Sequence, residues 1–148
     1  MTAIGLQSKT KAKEGIIEYF WFENKSIGLK RTMFHRIVIP LEPFDSGLDY
    51  VTQPEETKLI FDWINLGLKD PSALDGLEIT SANDEDLEAT VYLGTVHNWI
   101  DVHKLSLKEV EPRKYEVRGE LTLEFEKADV APDEPFSFRT IAVYRGKV

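Results

Sequence analysis

The strongest constraint on the fold is a stretch of strict alternation, "YEVRGELTLEFE", at residues 115–126. The apolar side chains occupy odd positions: Tyr115, Val117, Leu121, Leu123 and Phe125. Charged residues and threonine occupy the even positions. Because successive side chains of a strand point to opposite faces, this segment predicts a strand with one face in a core and the other in water. Such a strand requires a sheet around it.

The preceding segment predicts the partner of this strand. Residues that are opposite each other in a hairpin share a face, so Leu105 and Leu107 must join the odd-numbered apolar set. Odd positions pair with odd positions only if the connecting loop has an odd number of residues. The sequence therefore predicts a three-residue loop, Pro112–Lys114.

Several other segments are typical of strands. Residues 15–23 and 135–146 are rich in aromatic and β-branched residues on both faces, which favours central strands. Residues 33–41 predict another strand, with Pro40 at its end because proline cannot donate to a ladder. Residues 89–102 continue the pattern, and Gly94 within them indicates a bulge or bend.

One segment, residues 52–68, predicts an amphipathic helix. Thr52 and Glu55 form a capping-box pattern, and Gly67 supplies a C-terminal stop. At the helical period one broad apolar face collects Leu59, Ile60, Trp63, Ile64 and Leu66. We expect this helix to lie across the sheet, with Trp63 as an anchor in the core.

These elements predict an α+β fold, in which a curved antiparallel β-sheet wraps one amphipathic α-helix. A small closed or nearly closed β-barrel with one helix is the alternative. Residues 14–148 have the length of a single domain. Residues 1–13, with lysines among small polar residues, are expected to form a flexible tail.

The composition narrows the function classes. There is no cysteine, which excludes disulfides, thiolate metal sites and a cysteine nucleophile. The net charge is −8; residues 1–40 hold seven cations and three carboxylates, or +4, so residues 41–148 hold −8 − 4 = −12. An acidic body disfavours nucleic acid and suits a basic protein partner. Without a secretory signal or a membrane-length apolar run, no membrane association and a cytoplasmic location are expected.

The segment "HNWIDVH", residues 97–103, is the candidate site. As a strand it places four side chains on one face: His97, Trp99, Asp101 and His103. The even positions are more aliphatic, so burial should select that face for the core and turn the histidines and the tryptophan away. A bulge at His103–Lys104 would then let Leu105 also point inward.

The chemistry of these four residues favours binding over catalysis. Along a strand His97 and His103 are about 20 Å apart, too far to share one metal ion, so no metal or cofactor is expected. Asp101 could orient His103 as a general base, but no nucleophile or catalytic motif accompanies them, and no catalytic residue is assigned. Trp99 between polar neighbours is typical of interfaces and ligand pockets.

Two functional hypotheses follow. The first is a non-enzymatic acidic interaction domain that binds a basic protein partner, as an inhibitor or immunity-type protein does. The alternative is a small-molecule-binding or hydrolase-like protein with its pocket in the hollow of the sheet, using Trp99, Asp101 and His103.

Overall fold

The computed structural model describes residues 2–148; Met1, the first residue of the expected tail, lies outside the described residues. The elements are one short helix, α1 (Leu6–Lys9), and eight strands: β1 (Gly15–Asn24), β2 (Leu29–Pro40), β3 (Lys58–Ile64), β4 (Glu78–Ile79), β5 (Glu88–Leu93), β6 (Val96–Glu111), β7 (Lys114–Leu123) and β8 (Glu134–Lys147). Two single-turn 3₁₀ helices, Lys25–Ile27 and Phe125–Ala128, complete the described elements.

The strands form one sheet that closes into a barrel. Seven of them follow the order β6-β5-β3-β2-β1-β8-β7, and β6 also pairs with β7, while β4 adds to the free part of β6. Pairing is antiparallel except between β1 and β8. The barrel alternative is therefore confirmed. Of the first hypothesis, only the largely antiparallel sheet is present.

The segment predicted to be the amphipathic helix, residues 52–68, contains strand β3, so that prediction is wrong. Leu59 and Phe61 are fully buried, and β3 pairs with β2 on one edge and β5 on the other. Hydrogen-bonding partners on both edges favour extended backbone in a segment rich in aromatic and β-branched residues.

A β-bulge explains why β3 resembled a helix in sequence. Between Phe61 and Ile64, β3 holds one residue more than the facing part of β2. Trp63 has a positive φ of 55°, and its N–H donates to the Asp62 carboxylate at 2.9 Å. The bulge returns Ile64 to the interior, so the buried positions 59, 61 and 64 lose the strand period and mimic helical spacing.

Trp63 packs on the outside of the barrel wall, not in the core as predicted. Its indole meets the rings of Phe20, Phe22 and Phe34 edge-on, with centroid distances of 5.3, 5.0 and 5.2 Å. Phe34 is buried by this contact although it faces away from the barrel interior. Edge-to-face pairs add to the stabilisation from burial, so the cluster fastens β1 and β2 to β3.

The face assignments in β6 and β7 are confirmed. Asn98, Ile100 and Val102 are buried, the register shifts between Val102 and Lys104 as expected for the predicted bulge, and Leu105 then points inward. Between the bulge and the turn, odd residues of β6 pair with odd residues of β7 as predicted, for example Leu107 with Val117.

The loop between β6 and β7 differs from the prediction. Only two residues, Pro112 and Arg113, separate the strands, and a second register shift at Val110 supplies the odd residue. Gly94, predicted to mark a bulge or bend, forms with Thr95 the two-residue turn between β5 and β6. Both have φ of 66°, the conformation that type I′ hairpins require.

The expected flexible tail, residues 1–13, packs against the barrel over its described part. Ile4 and Leu6 are buried in the hydrophobic core. The Glu134 carboxylate accepts hydrogen bonds from the N–H groups of Gly5 and Leu6, at 3.0 and 2.8 Å. The lysines that suggested a tail are exposed, whereas the apolar residues Ile4 and Leu6 before them are buried.

Side chains fill the barrel interior. The largest fully buried ones include Phe61, Phe125 and Phe136, together with isoleucines and leucines from all around the wall. Within residues 2–148, no helix has the length and apolar character needed to cross a bilayer.

Candidate functional site

The predicted site residues lie on the outer surface of the barrel. We call this surface the Trp99 face and define it by Tyr92 of β5 and His97, Trp99, Asp101 and His103 of β6. Burial of the even-numbered residues of β6 turns these odd-numbered side chains outward. Trp99 is 49% exposed and Tyr92 is 50% exposed, on neighbouring strands that pair with each other.

The rings of the Trp99 face are held by the sheet. Tyr92 pairs with His97 across the β5–β6 hairpin, and their rings meet at 61° with centroids 4.9 Å apart. Trp99 pairs with Thr90 in the same ladder. Because both strands are bonded within a closed barrel, these side chains are presented without ordering a loop.

Asp101 and His103 come together as predicted, but loosely. The His103 Nδ1 atom lies 3.9 Å from the Asp101 carboxylate, and about half of each side chain is exposed. The His103 Nε2 atom is hydrogen-bonded to the Thr122 hydroxyl at 2.7 Å. The Thr122 hydroxyl thus stands where a nucleophile would stand beside the imidazole, but the Asp101–His103 pair is exposed and its 3.9 Å separation makes it a weak ion pair.

The structure does not bring His97 and His103 together, and His35 is enclosed in the barrel. No group of three or more histidine, aspartate or glutamate side chains within residues 2–148 is arranged to hold a metal ion.

Two glutamates come near Trp99 through strand position and a backbone contact. Glu88 shares the outer face of β5 with Thr90, the partner of Trp99, and the Glu124 N–H donates to the Trp99 carbonyl. Glu124 also holds Lys127 at 2.9 Å; this hydrogen bond, with smaller contributions from Asp133 and Asp101, raises the pKa of the Lys127 ammonium. Lys127 thus balances the charge of Glu124, while the exposed Glu88 and the half-exposed Asp101 leave this part of the surface acidic.

A shallow groove of about 470 Å³ adjoins the Trp99 face on the side of Tyr92 and His97. Its floor includes Pro40 and Ile60, and Lys58 and Glu56 stand at its rim, among other residues. The groove extends the exposed aromatic surface toward β3 and β2.

Sequence reasoning missed Tyr92 as a member of the Trp99 face, and it missed Glu88 and Glu124 as neighbours of that face. The signal for Tyr92 was available: a two-residue turn at Gly94–Thr95 pairs it with His97. Glu88 and Glu124 come beside Trp99 through strand pairing and a loop contact, which no local pattern reveals.

A second polar cluster lies inside one end of the barrel. His35 is 1% exposed; its Nε2 atom is hydrogen-bonded to the Pro71 carbonyl at 2.8 Å, and its ring lies 5.9 Å from that of Tyr19. Tyr19 stacks on Tyr144 at 6.5 Å, and the Tyr115 hydroxyl donates to the Ser72 carbonyl. His35 is thus enclosed in the barrel, with its ring beside that of Tyr19.

His35 makes the stability of the barrel depend on pH. Burial lowers its pKa below the ordinary value of 6.5, although the bond to Pro71 opposes the shift. The unfolded chain therefore binds a proton near pH 6.5 that the folded chain does not, and the stability present above this pH falls as the pH drops toward the folded pKa. When the pH is lowered from about 7.5 to about 5.5, we expect the melting temperature of His35→Gln to fall less than that of the wild type.

Thermal unfolding of both proteins at the two pH values measures this difference. Equal losses in the variant and the wild type would contradict a role for His35.

No protein-family model matches this chain, and no curated protein and no solved structure matches it either. The geometry of the Trp99 face and of its surroundings therefore has to indicate the function.

Proposed function

We propose that the protein is a non-enzymatic binding protein whose Trp99 face docks a basic surface of a partner protein. The observation that carries this proposal is the exposure of Trp99 and Tyr92 on adjacent, paired strands. Tryptophan and tyrosine dominate the energetics of protein interfaces when a partner covers them. An inhibitor or immunity-type role is the finer form of the same proposal.

Rigidity supports this role. Binding loses free energy when side chains or loops have to be ordered, and a hydrogen-bonded barrel wall avoids much of that loss. Tyr92 and His97 already restrain each other through their ring contact. The Trp99 face thus presents apolar area in a fixed arrangement.

Charge supports a basic partner. Asp101 and Glu88 lie on the outer face of the two strands that present Trp99 and Tyr92, and the chain carries a net charge of −8. Opposite charges steer association and disfavour acidic competitors, more than they add to affinity. Screening by salt should therefore weaken the complex.

Affinity isolation from extract of the cell that makes the protein tests this proposal. We expect a basic protein to be recovered with the wild type at about 0.05 M salt and lost at about 0.5 M. Trp99→Ser should reduce recovery by about 30-fold, the usual effect of a hot-spot residue. Val110→Ser is the matched control, because it removes an equally exposed apolar side chain from the far end of β6.

Recovery of the same partner with wild-type protein and Trp99→Ser would contradict the proposed surface. Recovery of uncomplexed protein alone at low salt would contradict the proposed role.

A small-molecule ligand is the second candidate, supported by the groove beside Tyr92 and His97. Trp99, Asp101 and His103 face outward, so the pocket of this alternative moves from the hollow of the sheet to the outer groove. A metabolite library should then raise the melting temperature of the wild type but not that of Ile60→Glu, whose carboxylate would enter the groove.

A further inference from the structure

A loop crosses one end of the barrel. Residues 67–75, which we call the strap, belong to the segment between β3 and β4. The strap contacts two separate parts of the wall: the Pro71 carbonyl is hydrogen-bonded to His35 of β2, and the Ser72 carbonyl accepts from Tyr115 of β7 at 3.2 Å. Strands β2 and β7 stand on opposite sides of the closed sheet, since two strands separate them in one direction and three in the other. The strap therefore lies across this end as a lid.

Few contacts fasten the strap to the barrel. Its middle is a compact turn, in which the Asp70 carboxylate accepts two hydrogen bonds from Ser72. Besides the two carbonyl contacts, the apolar side chains of Leu68 and Leu74 pack on the core, and the Asp75 carboxylate accepts from an N–H group of β6. A segment with local hydrogen bonds of its own can separate from a folded domain without unfolding it.

His35 holds the strap in one tautomer. A carbonyl only accepts, so the Nε2 atom carries the hydrogen in the 2.8 Å bond to Pro71, and the Nδ1 atom is left with a lone pair. This Nδ1 atom is buried and has no hydrogen-bond partner within residues 2–148. A proton added there would create a buried donor without an acceptor, together with a buried charge.

The surroundings of His35 offer no compensation for that charge. Three other titratable side chains pack inside this end of the barrel, and all are neutral at acid pH: Tyr19, Tyr115 and Tyr144. Four charged groups act on the pKa values of two of these tyrosines: Asp70, Asp75, Glu109 and Arg113. The pKa of His35 itself is lowered by burial and raised only by the bond to Pro71, so no carboxylate supports its charged form.

We propose that the strap is an acid-sensitive lid: binding of a proton by His35 opens the strap while the barrel wall stays folded. Opening places the imidazole in water, where both of its nitrogens find partners, and it breaks only the contacts of the strap. It also uncovers the tyrosine rings beneath. The lid shares no residue with the Trp99 face, so it does not depend on the proposed binding function.

Cysteine labelling tests this opening, because the chain has no cysteine of its own. Leu74→Cys places a thiol on the buried side of the strap, where the leucine is 0% exposed. Its reaction with 4,4′-dithiodipyridine is followed at about pH 7.5 and about pH 5.5. Each rate is divided by that of a short cysteine peptide at the same pH, which removes the pH dependence of the thiol.

When the pH is lowered, we expect the normalised rate of Leu74→Cys to rise at least about threefold. The upper limit is about tenfold, for a proton that binds only to the open form with the ordinary pKa of 6.5. Denaturant unfolding of Leu74→Cys at each pH gives the rate that global unfolding alone would allow, and the observed rate should be at least about tenfold higher. Val91→Cys, equally buried in the wall, is the matched control and should react only as fast as global unfolding allows.

Two further variants, each combined with Leu74→Cys, identify the group that responds to acid. His35→Gln should abolish the rise in labelling on acidification. Tyr115→Phe removes the other side-chain hydrogen bond to the strap and should speed labelling by the same factor at both pH values, because tyrosine does not titrate in this range.

Equal normalised rates of Leu74→Cys at the two pH values would overturn the proposal, as would labelling no faster than global unfolding allows. A rise that persists with His35→Gln would assign the acid sensitivity to another group and would overturn it as well. The comparison of the two pH values needs only Leu74→Cys, so it stands whether or not His35→Gln folds.

Discussion

Replacing Gly15 with alanine is expected to lower the free energy of unfolding by about 3 kcal/mol, the upper part of the range for overpacked interiors. A Cβ atom at this position would overlap the Val38 carbonyl oxygen and would lie 2.6 Å from the Ile39 Cδ1 atom. The first contact involves backbone, which cannot rotate away as a side chain can.

Neighbouring strands leave little room for relief. Gly15 pairs with Ala142 of β8 on one side, while β2 runs along the other side of β1. A shift that frees the methyl group would break ladder hydrogen bonds on one of the two edges. β1 joins β2 to β8 in the barrel wall, so the strain would reach both of its pairings.

Denaturant or thermal unfolding measures this effect, and the expected loss corresponds to roughly 10 °C of melting temperature for a chain of this size. Gly28→Ala is the matched control: nothing lies within 4 Å of its added methyl group, and only its positive φ of 75° opposes the change. That strain is worth about 1–2 kcal/mol. If Gly15→Ala is no more harmful than Gly28→Ala, the close approach of β1 and β2 is wrong.

Replacing Asn98 with alanine is expected to have a similar effect, a loss of about 3 kcal/mol from several buried hydrogen bonds. Asn98 is 1% exposed, and its amide nitrogen lies within 3.2 Å of the carbonyls of Val91, Leu93 and Val96. Without that amide, buried carbonyls of the β5–β6 hairpin would lose an internal donor. The cavity left by the side chain adds to the loss.

The variant Asn98→Asp distinguishes the effect of the lost hydrogen bonds on stability from the effect of the lost volume. The aspartate has nearly the same volume but no amide donor, and its charge would face the same carbonyls, so we expect a loss at least as large as that of Asn98→Ala. Unfolding experiments on both variants check this order. If Asn98→Leu left the free energy of unfolding unchanged, the site would need only a side chain of this volume and not its hydrogen bonds. Because this hairpin presents Tyr92, His97 and Trp99, destabilised variants should also bind the proposed partner less tightly.

The outward direction of the Trp99 face could be predicted because it depends on burial along one strand. Val102, Ile100 and Leu105 are apolar at positions that a single bulge brings to one side, and no arrangement of neighbours is needed to see which side is buried. The same holds for β7, whose alternation is uninterrupted. Glu88 and Glu124 could not be assigned to this part of the surface, because strand pairing and a backbone contact bring them near Trp99 only after the chain has folded.

The hydrophobic pattern of the chain was enough to establish a largely antiparallel sheet, the inward and outward faces of β6 and β7, and the odd-to-odd pairing between them. Each of these follows from the side-chain period of two, which is a local property of extended backbone. Contacts between residues far apart in the chain decided the rest. They determine that residues 58–64 form a strand and not a helix, that Ile4 and Leu6 pack in the core, and where the sheet closes. Such contacts override local propensity, because hydrogen bonding on both strand edges and burial in a shared core stabilise the fold more than the apolar face of one isolated helix would.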